Sequence, residues 1–391
     1  MKTVYFAITI GLTVLNFQCR DVEKREPREI QPTKTQNTTA MERKEFGATP
    51  EGKNVEMYTL KNSNGMEVDI ISFGGIITAL RVPDKEGKIE DVVLGFNTLD
   101  SYLQPQPFFG AIIGRYGNRI ANGKFSIDRN EYTLAKNNGP NHLHGGNMGF
   151  DKAVWNITPK KGNNSVSLKL DYLSKDMEEG YPGNLKTSVT YTLTNDNVLD
   201  IVYSAATDKA TVVNLTQHSY FNLSGDFSKS VEDHEITILA DGYLPTDASL
   251  IPTGEIAPVE GTPFDFNKPK PIGKDINLDH EHLRLAGGYD HNWVLNDQEK
   301  GYRWVAKAYH PGNGRTLEVF TDEPGMQFYT GNFLDGTLPS KNGGTYTQRA
   351  GFCFETQHYP DSPNQEQFPS TVLRPGEIYS SRTSFKFSVE Q

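Results

Sequence analysis

From Phe46 onward the chain is a succession of short β-type runs broken by glycine and turn residues, and that punctuation admits few folds. Val55 to Leu60, Met66 to Phe73 and Ile76 to Val82 are parted by Asn64-Gly65 and Gly74-Gly75. Asp84-Lys85-Glu86-Gly87 reads as a hairpin turn, and Val92 to Phe96 resumes the pattern. Phe125 to Leu134 alternates around Asp128-Arg129-Asn130. Further runs lie at 165–172, 186–193, 199–207, 235–240, 304–309, 316–321, 327–329 and 377–389. No stretch longer than about twelve residues carries apolar side chains at helical spacing. Asp100-Ser101-Tyr102 opens at most one short helical turn. No fixed-period repeat or low-complexity linker interrupts residues 46–391. The prediction is an all-β domain over 46–391, one large many-stranded antiparallel β-sandwich with its chemistry on strand-end loops. An aromatic content of 11% with 36 Gly and 22 Pro supports that class over a helical one.

The first 45 residues follow different rules. Lys2 precedes the apolar run Val4 to Leu15, which has the length of a signal-peptide core and is too short for a comfortable membrane span. Residues 1–19 are therefore predicted to be a signal peptide or a lipoprotein signal, with Cys19 the candidate lipid anchor. Asn16-Phe17-Gln18 are bulkier than a lipoprotein cleavage site usually carries, so simple cleavage stays an alternative. Residues 20–45 are charged and nearly free of large apolar side chains, which predicts a flexible tether. The expected location is exported, periplasmic or lipid-anchored to the cell envelope; the alternative is cytoplasmic.

Two cysteines cannot make a disulfide framework, and Cys353 has apolar neighbours that read as core rather than as a nucleophile's surroundings. A net charge of -10 and the lack of a basic aromatic stripe argue against nucleic acid.

Three polar islands interrupt the strand-like pattern. In Gly351 to Gln367 an aromatic run, Phe352-Cys353-Phe354, is expected to end at Glu355, before Thr356, Gln357 and His358. A lone acid at the mouth of an apolar strand partly loses water, which tunes its basicity toward neutrality. Asn141-His142-Leu143-His144-Gly145-Gly146 invites a zinc reading, but no third ligand or second shell accompanies the pair. His144 reads instead as a donor to a substrate oxygen. His218, in Gln217-His218-Ser219-Tyr220, is either an acid or a satisfied core histidine. Arg115 and Arg119 lie among glycines, where an arginine is a surface turn residue; Arg119, followed by Ile120 and Ala121, is alternatively a fork for a hydroxylated ligand. Asp290 follows Gly287-Gly288, consistent with a turn or with a carboxylate aimed at sugar hydroxyls.

Taken in order, Asn118 to Gly123, Leu143-His144-Gly145-Gly146, His218 to Leu223, Tyr289 to Asn292, Gly325 to Asn332 and Glu355-Thr356-Gln357 with Pro360-Asp361 resemble the galactose mutarotase (aldose 1-epimerase) family. The resemblance runs from about residue 46 to the end and implies a galactose mutarotase-like supersandwich. It implies interconversion of the α and β anomers of free hexoses such as galactose and glucose. It places the general base on Glu355 and the general acid on His218. It places sugar-holding positions on Asn118, Arg119, His144, Asp290 and Gln327, with Tyr220 a further contact in a matched motif.

That chemistry asks for no cofactor and no metal; a structural Ca2+ stays open, although no loop of regularly spaced acids calls for one. The expected partner is a free aldose, bound by a monomer. Glu355 and His218 are expected on opposite sides of one pyranose, with His144 donating the proton needed at the second carbonyl position after rotation. Rival readings are a glycoside hydrolase using Asp290 and Glu355, a non-catalytic carbohydrate-binding module, and an epimerase for phosphorylated hexoses, which needs a cation cluster.

Overall fold

Alternating burial along neighbouring strands builds the largest sheet. Leu185, Thr187, Val189, Tyr191 and Leu193 point one way along Leu185–Thr194, and Leu199, Ile201, Tyr203 and Ala205 match them along Val198–Thr207. The two strands pair antiparallel, Val189 opposite Tyr203 and Tyr191 opposite Ile201, so both apolar rows cover one face. In this computed structural model, which describes residues 1–7, 11 and 39–391, nine strands form that sheet. Their spatial order is Asn156–Lys161, Ser165–Ser174, Leu185–Thr194, Val198–Thr207, Tyr379–Val389, Arg315–Thr321, Arg303–Tyr309, Glu235–Ile238 and Lys270–Pro271. The last strand of the chain thus sits at the middle of the sheet and joins its earlier and later halves.

A six-stranded antiparallel sheet carries Tyr220–Phe221, Phe352–Gln357, Gly325–Tyr329, Asp290–Leu295, Ala240–Tyr243 and Ala257–Pro258, in that order. One of its faces supplies Phe352, Phe354, Met326, Phe328, Trp293 and Leu295 to a core shared with Ile236, Leu317, Phe385 and Phe387 of the nine-stranded sheet. The Phe221 and Phe385 rings meet edge to face at 5.2 Å. Each fully buried large apolar side chain contributes about 1.5–3 kcal/mol, so this layer holds the two sheets together. The period of two then sends Cys353, Glu355, Gln327, Tyr329 and Asp290 to the opposite face.

The all-β sandwich expected from the strand punctuation is the observed architecture, with the short helices Leu99–Tyr102 and Glu281–Ala286 added. Three expectations need correction. Ala40–Ala48 is a strand of a five-stranded sheet, paired with Asn54–Lys61 from Ala40 opposite Lys61, so residues 40–45 belong to the fold and not to a tether. Glu42 to Glu45 are charged and exposed on an edge held by backbone hydrogen bonds and the Arg43–Glu56 ion pair, while Met41 and Phe46 pack partly buried against the core. Val92 to Phe96 is not a strand: Val92 N–H bonds to Leu80 and Leu94 N–H to Tyr220, two different partners that prevent a continuous ladder. The Phe352 strand does not stop at Glu355 but runs to Gln357, because Thr356 and Gln357 still pair with Met326 and Gly325.

Contacts divide the chain into Met1–Gln36 and Asn37–Gln391. Within the first unit, residues 1–7 and 11 carry no helix or strand. Cys19 and the tether over residues 20–38 lie outside the described residues, as does most of the signal segment.

Candidate active site

Strand register delivers the carboxylates. Glu355 stands directly opposite Gln327, and Asp290 directly opposite Tyr329 on the next strand. Gln327 Nε2 donates to Asp290 Oδ1 at 2.7 Å, tying the two strands together on the face away from the core. Glu355 is 2% exposed, and its Oε2 has no hydrogen-bond partner. A buried, unpaired acceptor is costly unless something completes it.

His218 arrives from the segment between Thr216–Gln217 and Tyr220–Phe221. Its backbone is pinned on both sides: N–H donates to Ala111 O at 2.9 Å, and its carbonyl accepts from Gly110 N–H at 3.0 Å. The ring stacks on Tyr220 with centroids 5.1 Å apart, and Nε2 lies 3.6 Å from Glu355 Oε2. Burial pushes the imidazole down to about 4, partly opposed by a hydrogen bond to its own backbone. Burial acts oppositely on Glu355 and, with the Asp290 charge, holds the carboxyl well above its usual range against the pull of Arg119. Burial therefore favours the proton shared by the pair on the carboxyl, with His218 neutral.

His144 adopts a left-handed backbone (φ 51°) before Gly145 and Gly146, which carry φ of 85° and 102°. A Cβ at Gly145 would lie 1.8 Å from the Gly114 carbonyl oxygen, so only glycine lets this turn press against its neighbour. His144 Nδ1 accepts the Asn118 backbone N–H at 3.1 Å. Burial, then the neighbouring His218 and Arg119, holds its ring well below the usual histidine value, so the ring is neutral and its proton is on Nε2. Asn118 Oδ1 accepts the Arg119 N–H at 2.9 Å, and Arg119 Nε donates to Asn138 Oδ1 at 3.1 Å.

One cavity of about 570 Å³ is lined by Asn118, Arg119, His144, His218, Tyr220, Asp290 and Glu355. Gln327 reaches it through Asp290. The polar islands, spread over more than two hundred residues of sequence, converge on one hollow. A profile of the aldose 1-epimerase family matches residues 56–386. The chain belongs to that family.

Galactose mutarotase of Rattus norvegicus is 53% identical over 345 residues, covering 88% of this chain and 97% of that protein. Aldose 1-epimerase of Escherichia coli (strain K12) is 39% identical over 343 residues, covering 87% of this chain and 97% of the relative. The crystal structure of galactose 1-epimerase from Lactobacillus acidophilus NCFM superposes with a TM-score of 0.80 at 30% identity, covering 90% of this chain and 100% of the other.

His142 and Arg115, two further polar residues of the segments that carry the site, both lie inside the fold. His142 is a core residue, with Nδ1 at 2.7 Å from Ala135 O and Nε2 at 2.6 Å from the Tyr181 hydroxyl. Arg115 is not a surface residue: it is buried and donates to the Pro182 and Gly183 carbonyls and to Ser174. His144, His218 and Glu355 each offer an atom within 4.8 Å of the others, a spacing that suits a cation. The chemistry does not suit it, because a histidine metal ligand turns its far N–H toward an acceptor, whereas His144 Nδ1 faces a backbone donor.

Glu355 and His218 stand side by side, not across a sugar-sized gap. Sequence reading missed Asn138, Phe108 and Tyr329. Phe108 packs edge-on against His144 at 4.6 Å, and nothing in its run of Gln and Pro marks it. Tyr329 lay in a matched motif, where strand period alone could have placed it on the face of Gln327.

Proposed function

We propose that this protein is an aldose 1-epimerase that interconverts the α and β anomers of free hexoses such as galactose and glucose by acid–base ring opening. The observation that carries the reading is the 3.6 Å approach of His218 Nε2 to Glu355 Oε2 in the cavity of a chain from this family. The two oxygens that exchange protons during anomerisation, the C1 hydroxyl and the ring oxygen, share one carbon. A base and an acid that are neighbours suit them better than groups on opposite sides of the sugar.

In the forward step Glu355 as carboxylate takes the proton of the C1 hydroxyl while His218 as imidazolium gives one to the ring oxygen. The C1–O5 bond breaks, C1=O1 forms, and the open aldehyde remains beside a neutral carboxyl and a neutral imidazole. Rotation about C1–C2 and the reverse transfers close the other anomer. Burial favours that neutral pair, so the favoured protonation state matches the ring-opened sugar. The cyclic sugar requires the proton to pass from Oε2 to Nε2 first. Each positioned transfer contributes about 10²–10⁴-fold, roughly 2.7–5.4 kcal/mol. Mutarotation proceeds slowly in water, so two such contributions suffice without a cofactor.

Asn118, Arg119 and Asp290, the last braced by Gln327, hold the remaining hydroxyls, and Tyr220 supports the His218 ring from beneath. His144, neutral with its proton on Nε2, serves as a hydrogen-bond donor to a sugar oxygen. A neutral imidazole is a poor proton source, so this role replaces the proton donation expected from sequence.

Among the described residues lining the cavity, Arg119 is the one full cation, with Asp290 and Glu355 beside it; that balance disfavours a sugar phosphate. Export, through the apolar run Val4 to Leu15 with cleavage or lipidation at Cys19, is part of the same proposal, as is a monomer. Mass spectrometry of the mature N-terminus tests the export. Polarimetry of freshly dissolved α-galactose and α-glucose tests the activity: rotation should relax far faster than in buffer. Relaxation at the buffer rate would overturn the proposal.

A further inference from the structure

The strand Phe352–Gln357 touches both ring nitrogens of His218. Cys353 and Glu355 are two residues apart and so share one strand face. Cys353 Sγ lies 3.6 Å from Nδ1, and Glu355 Oε2 lies 3.6 Å from Nε2. Cys353 is fully buried among Leu94, Ile113, Tyr220 and Tyr329, where it cannot act on substrate. We propose that Cys353 is a positioning residue, whose thiol engages Nδ1 of His218 and so keeps Nε2 as the nitrogen that trades protons with Glu355 and the sugar. This inference rests on the acid role proposed for His218.

A thiol suits that place for a specific reason. The imidazole trades its proton at Nε2, so Nδ1 keeps its own N–H in both the neutral and the protonated form. That N–H needs an acceptor, and the thiol sulfur is a weak one. A carboxylate there would accept too strongly and would hold the ring charged. An alkyl group would not accept at all. The contact also distinguishes the two orientations related by a half-turn of the ring, one of which turns Nε2 away from Glu355. Burial keeps the thiol in its protonated form.

Cys353→Ala and Cys353→Ser in the full chain provide the test. The alanine variant should lose about 3- to 10-fold in kcat, the size of one hydrogen bond. Its KM should stay within about twofold, because sugar-holding groups are untouched. Serine, keeping a donor and acceptor, should recover part of the loss. Nitrogen NMR of the histidine side chains, assigned with His218→Asn, should show the His218 nitrogens changed in Cys353→Ala.

A packing role alone would lower thermal stability and leave those nitrogen signals in place. Wild-type kcat in Cys353→Ala, or unchanged nitrogen signals, overturns the inference. Should neither variant fold, nitrogen NMR of the wild-type chain decides: a neutral His218 with its proton on Nδ1 supports the inference, and one with its proton on Nε2 overturns it. Wild-type kcat in His218→Asn would instead overturn the acid role itself.

Discussion

Oε2 of Glu355 and Nε2 of His218 lie 3.6 Å apart, and that carboxylate oxygen has no hydrogen-bond partner. If the two groups work as one proton-exchanging pair, removing either should stop the exchange while leaving the sugar-holding residues in place. Glu355→Gln and His218→Asn should each lower kcat by about 10²–10⁴-fold with modest change in KM. Polarimetry from a pure anomer reads both constants. A glutamine variant with near-normal kcat would falsify the base assignment.

The same pair fixes an unusual acid limb. Activity requires one shared proton, whichever partner carries it, and the second proton binds only when His218 is forced to charge beside a protonated carboxyl. Burial places that event at about 4, and raises the loss of the shared proton from Glu355 well above the ordinary carboxylate range. His144 and Arg119 line the same cavity. The rate should therefore stay level as pH falls through the ordinary histidine range and decline only near 4. An acid limb centred on about 6.5, the unperturbed histidine value, would show that His218 titrates as a solvated group.

Much of this site was legible because its residues interrupt otherwise apolar strands. Phe352 and Phe354 announced a strand, and the polar islands marked where side chains leave the core. What stayed hidden depends on long-range contact. Cys353 reads as core from its neighbours and is core, yet its touch on His218 spans 135 residues that no spacing rule connects. The His144 tautomer depends on a backbone N–H from Asn118, a partner 26 residues away. Ala40–Ala48 carries no apolar alternation because an edge strand is held by its ladder. Val92 to Phe96 misled for the opposite reason: apolar side chains are buried there without a regular partner strand.

Three residues beyond Glu355, His358 Nδ1 meets Glu323 Oε2 at 2.7 Å. Burial alone would raise Glu323 and lower His358, but their mutual charge and hydrogen bond win, leaving Glu323 below and His358 above its ordinary value. The contribution of His358 is fully present below its unfolded pKa of about 6.5 and is lost as pH rises through its raised folded value. That of Glu323 is fully present above about 4.3 and is lost as pH falls through its depressed value. Stability from the pair should peak between those limits. His358→Gln should cost toward the lower end of roughly 3–5 kcal/mol, because the His358 side chain keeps 25% exposure. Thermal melts across pH should show the wild-type advantage widest near pH 5–6; parallel curves for the two proteins would dismiss the pair.

Gly145 offers a test of how backbone controls chemistry. Its φ of 85° is costly for any side chain, and an added Cβ would lie 1.8 Å from the Gly114 carbonyl oxygen. That carbonyl also accepts the Phe150 N–H at 3.0 Å, so it is not free to yield. The turn must open, and His144, one residue earlier, moves with it. Gly145→Ala should therefore lose about 1–3 kcal/mol of stability from backbone strain alone, with more from the clash. The kinetic effect should appear mainly in KM, because His144 holds a sugar oxygen and the Glu355–His218 pair lies on other segments. Urea unfolding together with saturation kinetics separates the two effects. A folded alanine variant with unaltered KM would mean that His144 does not contact the sugar.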